Sequence, residues 1–386
     1  MKKILHVLSG NKTFSGVASY LYQQYLRIDR SKIQYDFFLC KENSMELVMS
    51  DPIFQDSKFY IINARMKKTG STNYYKIIHE LDKILSEVHY DAVVVNTSVI
   101  MIIYSCLRVV KKHKGIQFIA HAHNSNLVLN RGALREKISP IVNVVEFLLR
   151  KKIRNEAFAL FGCSREAGEA TFGHGASQLK KFIVVRNAID IEKFQFDNEI
   201  AMQVRKEMQV AGDTFIIGNV GRLAKIKNQS FLIELLSVVK NRNNNTKLWL
   251  IGEGPDKDKL EVLAKELNVD EDVIFLGQKS DVFRYMQAMN VFVFPSISEG
   301  LGIVAIEAQA AGLPVIISNG VPSDVLLTPL ARKVPLEKGV EKWADELISL
   351  YSKYPKHIDY SDMIINGGYD IVAETKRIAE YYLNRV

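Results

Sequence analysis

Short apolar runs alternate with amphipathic segments along the whole chain. In the first half, runs rich in Val, Ile, Phe and Tyr end in Gly, Ser, Asn or Cys, which is typical of buried strands. These runs are KKILHVLSG, YDFFLC, KFYIIN, DAVVVNTS, IQFIAHAH and AFALFGCS. A helix is predicted over 73–88, where apolar residues recur at helical spacing. Such alternation predicts a parallel sheet covered by helices on both faces.

The same pattern starts again in the second half. Further strands are predicted at FIIGNVGRL, TKLWLIGEG, DVIFLGQ, VFVFPS and LPVIIS, with helices over 228–240 and 257–267 between them. We therefore predict an α/β protein with two doubly wound domains, whose boundary falls near 188–200. In such sheets ligands bind at the carboxyl ends of the strands, and two facing sheets place the site in the cleft between them.

The two halves of the chain differ in net charge. Residues 1–190 contain 28 Lys and Arg against 16 Asp and Glu, whereas the remainder contains 23 against 27, so the excess behind the net charge of +8 lies in the N-terminal half. This asymmetry favours an anionic partner for that half. The apolar run at the N-terminus is too short for a signal peptide, and no run reaches the roughly 18 apolar residues of a spanning helix, so we expect a cytoplasmic protein.

The strongest chemical signal is PSISEGLGIVAIEAQAAGLPVIIS, residues 295–318, in which a buried strand leads through a Ser/Glu/Gly turn into a helix. We predict that the helix runs from about Leu301 to Ala311. Glu299 and Glu307 are eight residues apart, about 12 Å along a helix axis. This exceeds the roughly 5–9.5 Å between paired glycosidase carboxylates. The pair instead suits the two ends of an extended nucleotide sugar, with a diphosphate at the glycine-rich helix N-terminus. The alternative is two ordinary surface acids, one of them at a helix start.

A second signal lies in IIGNVGRLAKIKNQSFLIELL, residues 216–236, where Arg222 and Lys227 flank a short loop between a strand and a helix. Arg222 suits a bidentate contact with phosphate oxygens, and Lys227 supplies a point charge. Both would stabilise the charge that develops on a departing nucleoside diphosphate. The simpler alternative is two surface cations in a basic protein.

Together, GRLAKIKN, IGEGP, FLGQ and the Glu-x7-Glu segment resemble family 4 of the retaining glycosyltransferases, which have the GT-B fold. The resemblance implies that Glu299 contacts the transferred sugar, that Glu307 holds the ribose, and that Arg222 and Lys227 bind the diphosphate without a metal. It also implies a front-face reaction in which the leaving phosphate helps to deprotonate the acceptor. The other residues it assigns to donor binding are Gly16, Gly221, Gly277, Ser298, Gly300, Leu301 and Gly302.

The resemblance orients the N-terminal half as well. Residues 1–190 would bind the acceptor and 191–368 the donor, with the helix 369–386 crossing back to the first domain. Relatives place a histidine near the reacting sugar, and FIAHAHNSN offers two. We expect His123, which is nearer the loop, to act there. His121 fits a core histidine better, but it stays an acceptor-side candidate together with Asn124.

A basic segment with interspersed apolar residues, 131–155, contains seven Lys or Arg and two Glu. Such a segment suggests docking on anionic lipid at the inner membrane face, whereas the alternative is a surface helix with its apolar stripe on the core. Nucleic acid is not expected as a partner, because the cations are scattered and form no stripe with interleaved aromatic residues.

Two functions are consistent with these features. The first is a retaining hexosyltransferase that uses a nucleotide sugar, most often UDP-linked in this family, and a saccharide acceptor, lipid-linked in the synthesis of capsule or exopolysaccharide. The second is a non-catalytic GT-B partner subunit that binds nucleotide or an active transferase. The presence of Glu299, Glu307, Arg222 and Lys227 favours the first. Neither a metal nor a resident cofactor is expected, because no carboxylate cluster or Cys/His metal motif is present.

Overall fold

A computed structural model describes residues 1–9, 16–40, 49–64, 73–123 and 139–386. The chain divides into two compact units. Unit 1 comprises Met1–Ala188 and Ile371–Val386, and unit 2 comprises Ile189–Asp370. Unit 1 is therefore built from both ends of the sequence.

Unit 1 contains a seven-stranded sheet in which every pairing is parallel and the strand order is β3-β2-β1-β4-β5-β6-β7. The strands are β1 Lys2–Leu8, β2 Ile33–Leu39, β3 Phe59–Ile61, β4 Ala92–Asn96, β5 Gln117–Ala122, β6 Ala159–Gly162 and β7 Phe182–Val184. Its helices are α1 Gly16–Arg27, α2 Tyr74–Glu87, α3 Ile100–Val110, α4 Ser139–Glu156 and α5 Arg165–Phe172, together with the last helix of the chain, Ile371–Arg385.

Unit 2 contains a six-stranded sheet, again parallel throughout, with the order β10-β9-β8-β11-β12-β13. Its strands are β8 Phe215–Val220, β9 Thr246–Ile251, β10 Val273–Gly277, β11 Val291–Phe294, β12 Val315–Ile317 and β13 Ala331–Lys333. Its helices are α6 Ile191–Phe194, α7 Asn198–Glu207, α8 Gln229–Arg242, α9 Lys257–Glu266, α10 Val282–Ala288, α11 Ile303–Ala310, α12 Gly339–Lys353 and α13 Ser361–Asn366. The last helix, Ile371–Arg385, is α14.

Each sheet is buried on both faces, which explains why its strands are apolar without alternation. In β1, Leu5 and Val7 belong to one hydrophobic cluster and Ile4 and Leu8 to another. The sheet of unit 2 likewise separates two clusters. The prediction of doubly wound α/β folding is therefore confirmed, and the predicted strands all form.

Helix α14 packs within unit 1. Ile378 and Tyr382 are buried in the cluster that also holds Tyr35. Glu374 accepts a hydrogen bond from the Arg186 backbone N–H at 2.8 Å. Apolar burial and a polar anchor thus hold the end of the chain on the first sheet.

Two further findings concern the cysteines and the helices. The three cysteines Cys40, Cys106 and Cys163 all lie in the described residues, where they are buried and form no disulfide. In the described parts of the chain, no helix combines the length and apolar character needed to cross a bilayer.

Candidate functional site

The strand order of unit 2 reverses between β8 and β11. From β8 the chain moves outward to β9 and β10, and it then returns to the other side of β8 with β11. At such a switch point, the loops that follow the two central strands diverge and leave a crevice at the carboxyl edge of the sheet. Arg222 and Lys227 follow β8, and Glu299 follows β11, so the topology brings the two chemical motifs together.

An ion pair joins these loops. Lys227 Nζ donates to Glu299 Oε1 at 2.6 Å, and the side chains of Lys227 and Glu299 are 23% and 11% exposed. Lys227 Nζ also lies 5.2 Å from the centroid of the Phe294 ring. A short pair with little solvent around it is a strong electrostatic contact. It places an ammonium and a carboxylate side by side at the switch point.

Backbone contacts hold the two loops in register. The Ile297 N–H donates to the Ile226 carbonyl at 2.8 Å, and Asn228 Nδ2 donates to the Pro295 carbonyl at 3.2 Å. On the other side, the Glu299 N–H donates to the Gly320 carbonyl at 3.0 Å. A Cβ atom at Gly320 would lie only 2.2 Å from the Ile297 carbonyl oxygen, so this position requires glycine. The Glu299 loop is thus fixed from both sides.

Helix α11 begins later than predicted. Gly302 has φ 86° and ψ 48°, in the left-handed region, and the helix starts at Ile303 rather than about Leu301. The helical spacing assumed for the two acids is therefore wrong, because Glu299 lies in the loop and Glu307 on the helix. Gly302 tolerates that conformation because it lacks a Cβ, which would lie 3.0 Å from both Phe294 and Val321 side chains.

Glu307 lies in the second turn of α11 and is partly buried. Burial raises the pKa of its carboxyl from 4.5 to about 7, and the positive charge of Lys193 acts in the opposite direction. A carboxyl whose pKa lies near neutrality is typical of functional positions. Its environment therefore supports the prediction that it binds ligand hydroxyls.

The remaining donor-site candidates lie in loops or at strand ends. Gly221 follows β8 and its N–H donates to the Ile251 carbonyl at 2.9 Å. Gly277 ends β10 with φ 68°. Arg222 is exposed beside Gly221, and Ser298, Gly300 and Leu301 flank Glu299. Gly16 is the first residue of α1 in unit 1, and the residues just before it lie outside the described part of the chain.

Unit 1 has its own switch point, between β1 and β4, and a buried polar cluster lies there. His123 Nε2 contacts Asn96 Oδ1 at 3.2 Å, and Asn96 Nδ2 contacts His6 Nδ1 at 3.2 Å. His6, Asn96 and His123 are at most 7% exposed. His6 lies in β1, Asn96 ends β4, and His123 follows β5. These three strands are neighbours in the sheet.

The two histidine candidates lie together. The ring centroids of His121 and His123 are 3.9 Å apart, and both side chains are buried. Burial lowers the pKa of His123 to about 3, and burial also lowers the pKa of His121. Both are therefore neutral at pH 7, and His123 would serve as a hydrogen-bond partner rather than a cation. Asn124 lies outside the described residues.

Sequence reasoning did not identify Asn96, His6 or Lys193 as partners of the candidate residues. A usable signal existed for Asn96, because it ends a buried strand next to the strand that leads to His123. Lys193 gave no such signal, since it lies far from Glu307 in sequence. In the portions of the chain that are described, no three His, Cys, Asp or Glu side chains are arranged as metal ligands. Metal independence stays a prediction.

Comparison with known proteins relates part of this chain to a known family. Residues 202–368 match the family described as glycosyl transferases group 1. The chain is 27% identical over 376 residues to EpsF of Bacillus subtilis, whose name describes it as a glycosyltransferase, and the match covers 96% of this chain and 93% of that protein. It is 38% identical over 143 residues to CapM of Staphylococcus aureus, a capsular polysaccharide biosynthesis glycosyltransferase, covering 34% of this chain and 35% of CapM.

Solved structures show the same fold. HepE of Anabaena in complex with UDP superimposes with a TM-score of 0.76 at 17% identity, over 98% of this chain and 99% of that one. WaaG, a glycosyltransferase of lipopolysaccharide biosynthesis, gives a TM-score of 0.71 at 16% identity, over 99% of this chain and 100% of that one. The matched family covers the unit that carries Arg222, Lys227, Glu299 and Glu307. Residues 202–368 therefore form a domain of the glycosyl transferases group 1 family, and the chain has the GT-B fold.

Proposed function

We propose that this chain is a glycosyltransferase that moves a hexose or N-acetylhexosamine from a UDP-sugar to a saccharide acceptor, with retention of anomeric configuration and without a metal. The observation that carries the proposal is the Lys227–Glu299 ion pair at the switch point of unit 2, with the raised pKa of Glu307 on the helix that follows. Carboxylates accept bonds from sugar and ribose hydroxyls. Cations stabilise the diphosphate as the glycosidic bond breaks.

Each residue has a distinct role in this proposal. Glu299 orients the transferred sugar, and Glu307 in its ionised form accepts bonds from the ribose hydroxyls. Lys227 and Arg222 stabilise the negative charge on the departing UDP, which replaces the charge that a metal would supply. The freed phosphate oxygen takes the proton of the attacking acceptor hydroxyl on the same face of the sugar.

Relatives support the substrate class. The HepE structure contains UDP, and others of the same protein contain UDP-glucose or UDP and glucose. A Campylobacter jejuni relative, 36% identical over 140 residues, carries a name that specifies transfer of N-acetylgalactosamine to a diphospho-undecaprenol-linked sugar. By analogy, we propose a lipid-linked saccharide as the acceptor and a cell-surface polysaccharide as the product.

The donor proposal predicts selective stabilisation by nucleotide sugars. We expect one or more UDP-sugars from a panel of UDP- and GDP-sugars to raise the thermal unfolding temperature, and slow UDP release to follow in the absence of acceptor. Arg222→Ala should reduce that release, while Lys225→Ala should not, because Lys225 is an exposed cation in the same loop. Stabilisation by no nucleotide would refute the donor site. Stabilisation without turnover, with or without acceptor, would instead indicate a non-catalytic binding subunit.

Helix α4 supports a membrane-facing role for unit 1. Val144, Val145, Phe147 and Leu148 are 44–61% exposed, whereas Ile153, on the opposite side of the helix, is fully buried. Leu149 and Ile153 pack on the core of unit 1, so the described part of α4 has two apolar faces, one packed on the core and one exposed to solvent. An exposed apolar helix face with nearby cations binds the surface of an anionic bilayer.

Cations cluster next to this face. Lys151 and Lys152 follow one turn after the apolar residues, and Lys152 lines a groove of about 360 Å³ between α3 and α4. Arg108, Lys111 and Lys112 line the same groove, and Glu156 is the only carboxylate among its described lining residues. Basic residues at a membrane surface contribute about 1 kcal/mol each with anionic lipid. We therefore propose that α4 docks on an anionic membrane, which brings the enzyme to a lipid-linked acceptor.

Vesicle binding tests this docking. We expect the full chain to sediment with phosphatidylcholine vesicles containing about one third phosphatidylglycerol, and to sediment less as salt rises. Replacing Phe147 and Leu148 by Ser should reduce the bound fraction several-fold. In the matched control, Met202 and Val262, which are exposed apolar residues of unit 2, are likewise replaced by Ser. This control variant should bind vesicles as well as the wild type does. Equal binding by both double variants, or none by the wild type, would contradict the proposal.

A further inference from the structure

The orientation of the Asn96 amide is fixed by a backbone carbonyl. Asn96 Nδ2 lies 3.1 Å from the Val94 carbonyl oxygen, which can only accept a hydrogen bond. A flipped amide would place Oδ1 against that oxygen, with no proton between them. The Nδ2 group therefore faces Val94 and His6, and Oδ1 faces His123.

The amide in turn determines the tautomer of His123. Because Oδ1 is an acceptor, the His123 Nε2 atom at 3.2 Å must carry a proton and donate it. Burial keeps the ring neutral at pH 7, so it holds one proton only. His123 Nδ1 is consequently left with a free lone pair.

That lone pair accepts no hydrogen bond from any residue that the structure describes. His123 Nδ1 is buried and has no hydrogen-bond partner among the described residues. Buried polar atoms are nearly always paired, since an unpaired acceptor loses its water without compensation. A ligand hydroxyl that donates to Nδ1 would restore the missing bond.

We infer that Asn96 is a positioning residue that holds His123 as the neutral Nε2–H tautomer, so that Nδ1 accepts a hydrogen bond from a hydroxyl of the sugar substrate. This inference rests on the proposed function for its ligand, but the tautomer follows from unit 1 alone. His123 would then orient the substrate. It would not act as a general acid, because its only ring proton, on Nε2, is donated to Asn96 Oδ1.

Nuclear magnetic resonance of the full chain, labelled with ¹⁵N at histidine, tests the tautomer directly. We expect a protonated Nε2 and a bare Nδ1 for His123 at pH 7. Asn96→Leu removes the acceptor and should introduce the Nδ1–H form. His6→Phe is the matched control, since it alters the same cluster but leaves the Val94–Asn96–His123 contacts, and it should leave the tautomer unchanged. A wild-type His123 that is protonated on Nδ1, or an unchanged tautomer in Asn96→Leu, would overturn the inference.

The ligand part is tested by titration with UDP and with UDP-glucose, UDP-galactose and UDP-N-acetylglucosamine. The UDP-sugar that stabilises the protein should shift the His123 Nδ1 resonance in the direction of an accepted hydrogen bond, and UDP alone should not. A UDP-sugar that binds without moving this resonance would overturn the acceptor role. If no UDP compound binds, the proposed donor fails and the ligand part fails with it, whereas the tautomer result is judged on the unliganded protein.

Discussion

Replacing Lys227 by Ala is expected to lower the turnover number of sugar transfer by about 10²–10³-fold, the usual cost of removing one preorganised charge contact to a leaving group. The variant loses the ammonium that pairs with Glu299 at 2.6 Å, so Glu299 loses its positive partner and, under the proposed function, the diphosphate loses one as well. The measurement is steady-state transfer, or donor hydrolysis where the acceptor is not yet identified.

The control for this variant lies two residues away. Lys225 is exposed in the same turn, and Lys225→Ala should keep turnover within about threefold of wild type if the effect requires the ion pair and not the total charge of the loop. Thermal unfolding of both variants separates a catalytic loss from a folding defect. Equal turnover in Lys227→Ala and wild type would exclude Lys227 from the chemistry.

Glu307→Gln is expected to weaken UDP binding by about 100-fold above pH 8, because in the proposed function the Glu307 carboxylate accepts ribose hydrogen bonds and the variant has a neutral amide in its place. In the wild type, the Glu307 carboxyl must be ionised to accept these hydrogen bonds from the ribose of UDP. With a pKa of about 7, its ionised fraction rises about tenfold between pH 6 and pH 8, and UDP affinity should rise with it. Affinity in the variant should lack this rise. Calorimetric titration of UDP at several pH values measures both effects.

The contribution of Glu307 to folding stability should fall as pH rises, whereas its contribution to UDP affinity should increase. Because the folded-state pKa of Glu307 lies above its unfolded value of 4.5, the folded protein binds the extra proton between pH 4.5 and 7. The contribution of Glu307 to stability is therefore present below pH 4.5 and is lost as pH rises through 7. Glu307→Gln should become more stable relative to wild type as pH rises across that window.

The binding experiment has its own contradicting outcome. If Glu307→Gln bound UDP as tightly as wild type above pH 8, the assignment of Glu307 to the ribose would be wrong.

Most of the fold could be predicted from the sequence because parallel strands buried on both faces are continuous apolar runs. The two strands that were missed, β7 Phe182–Val184 and β13 Ala331–Lys333, each have three residues and lie at a sheet edge. All six of these residues are only partly buried. Only β13, with the sequence ARK, lacks an apolar run and so gives no signal, because a short edge strand need not bury much surface. The apolar residues of β7, Phe182–Val184, gave a signal that was not recognised as a strand.

The candidate site was predictable in its residues but not in its contacts. Residue types made Glu299 and Glu307 candidates, since carboxylates near a glycine-rich helix start suit a nucleotide sugar, but the helical spacing assumed between them was wrong. The Lys227–Glu299 pair joins residues 72 positions apart, and only the strand order brings them together. The start of α11 depends on the left-handed backbone of Gly302, which a glycine permits but does not require.

The division of unit 1 between the two ends of the sequence imposes an order on biosynthesis. The ribosome delivers all of unit 2 before Ile371–Val386 appears, so unit 2 can reach its native state while the first sheet still lacks α14. During that interval, the surface of unit 1 that later receives Ile378 and Tyr382 is exposed. Nascent chains stalled or cleaved before residue 371 would therefore combine a complete unit 2 with a unit 1 whose apolar surface stays exposed, which is the kind of surface that chaperones bind.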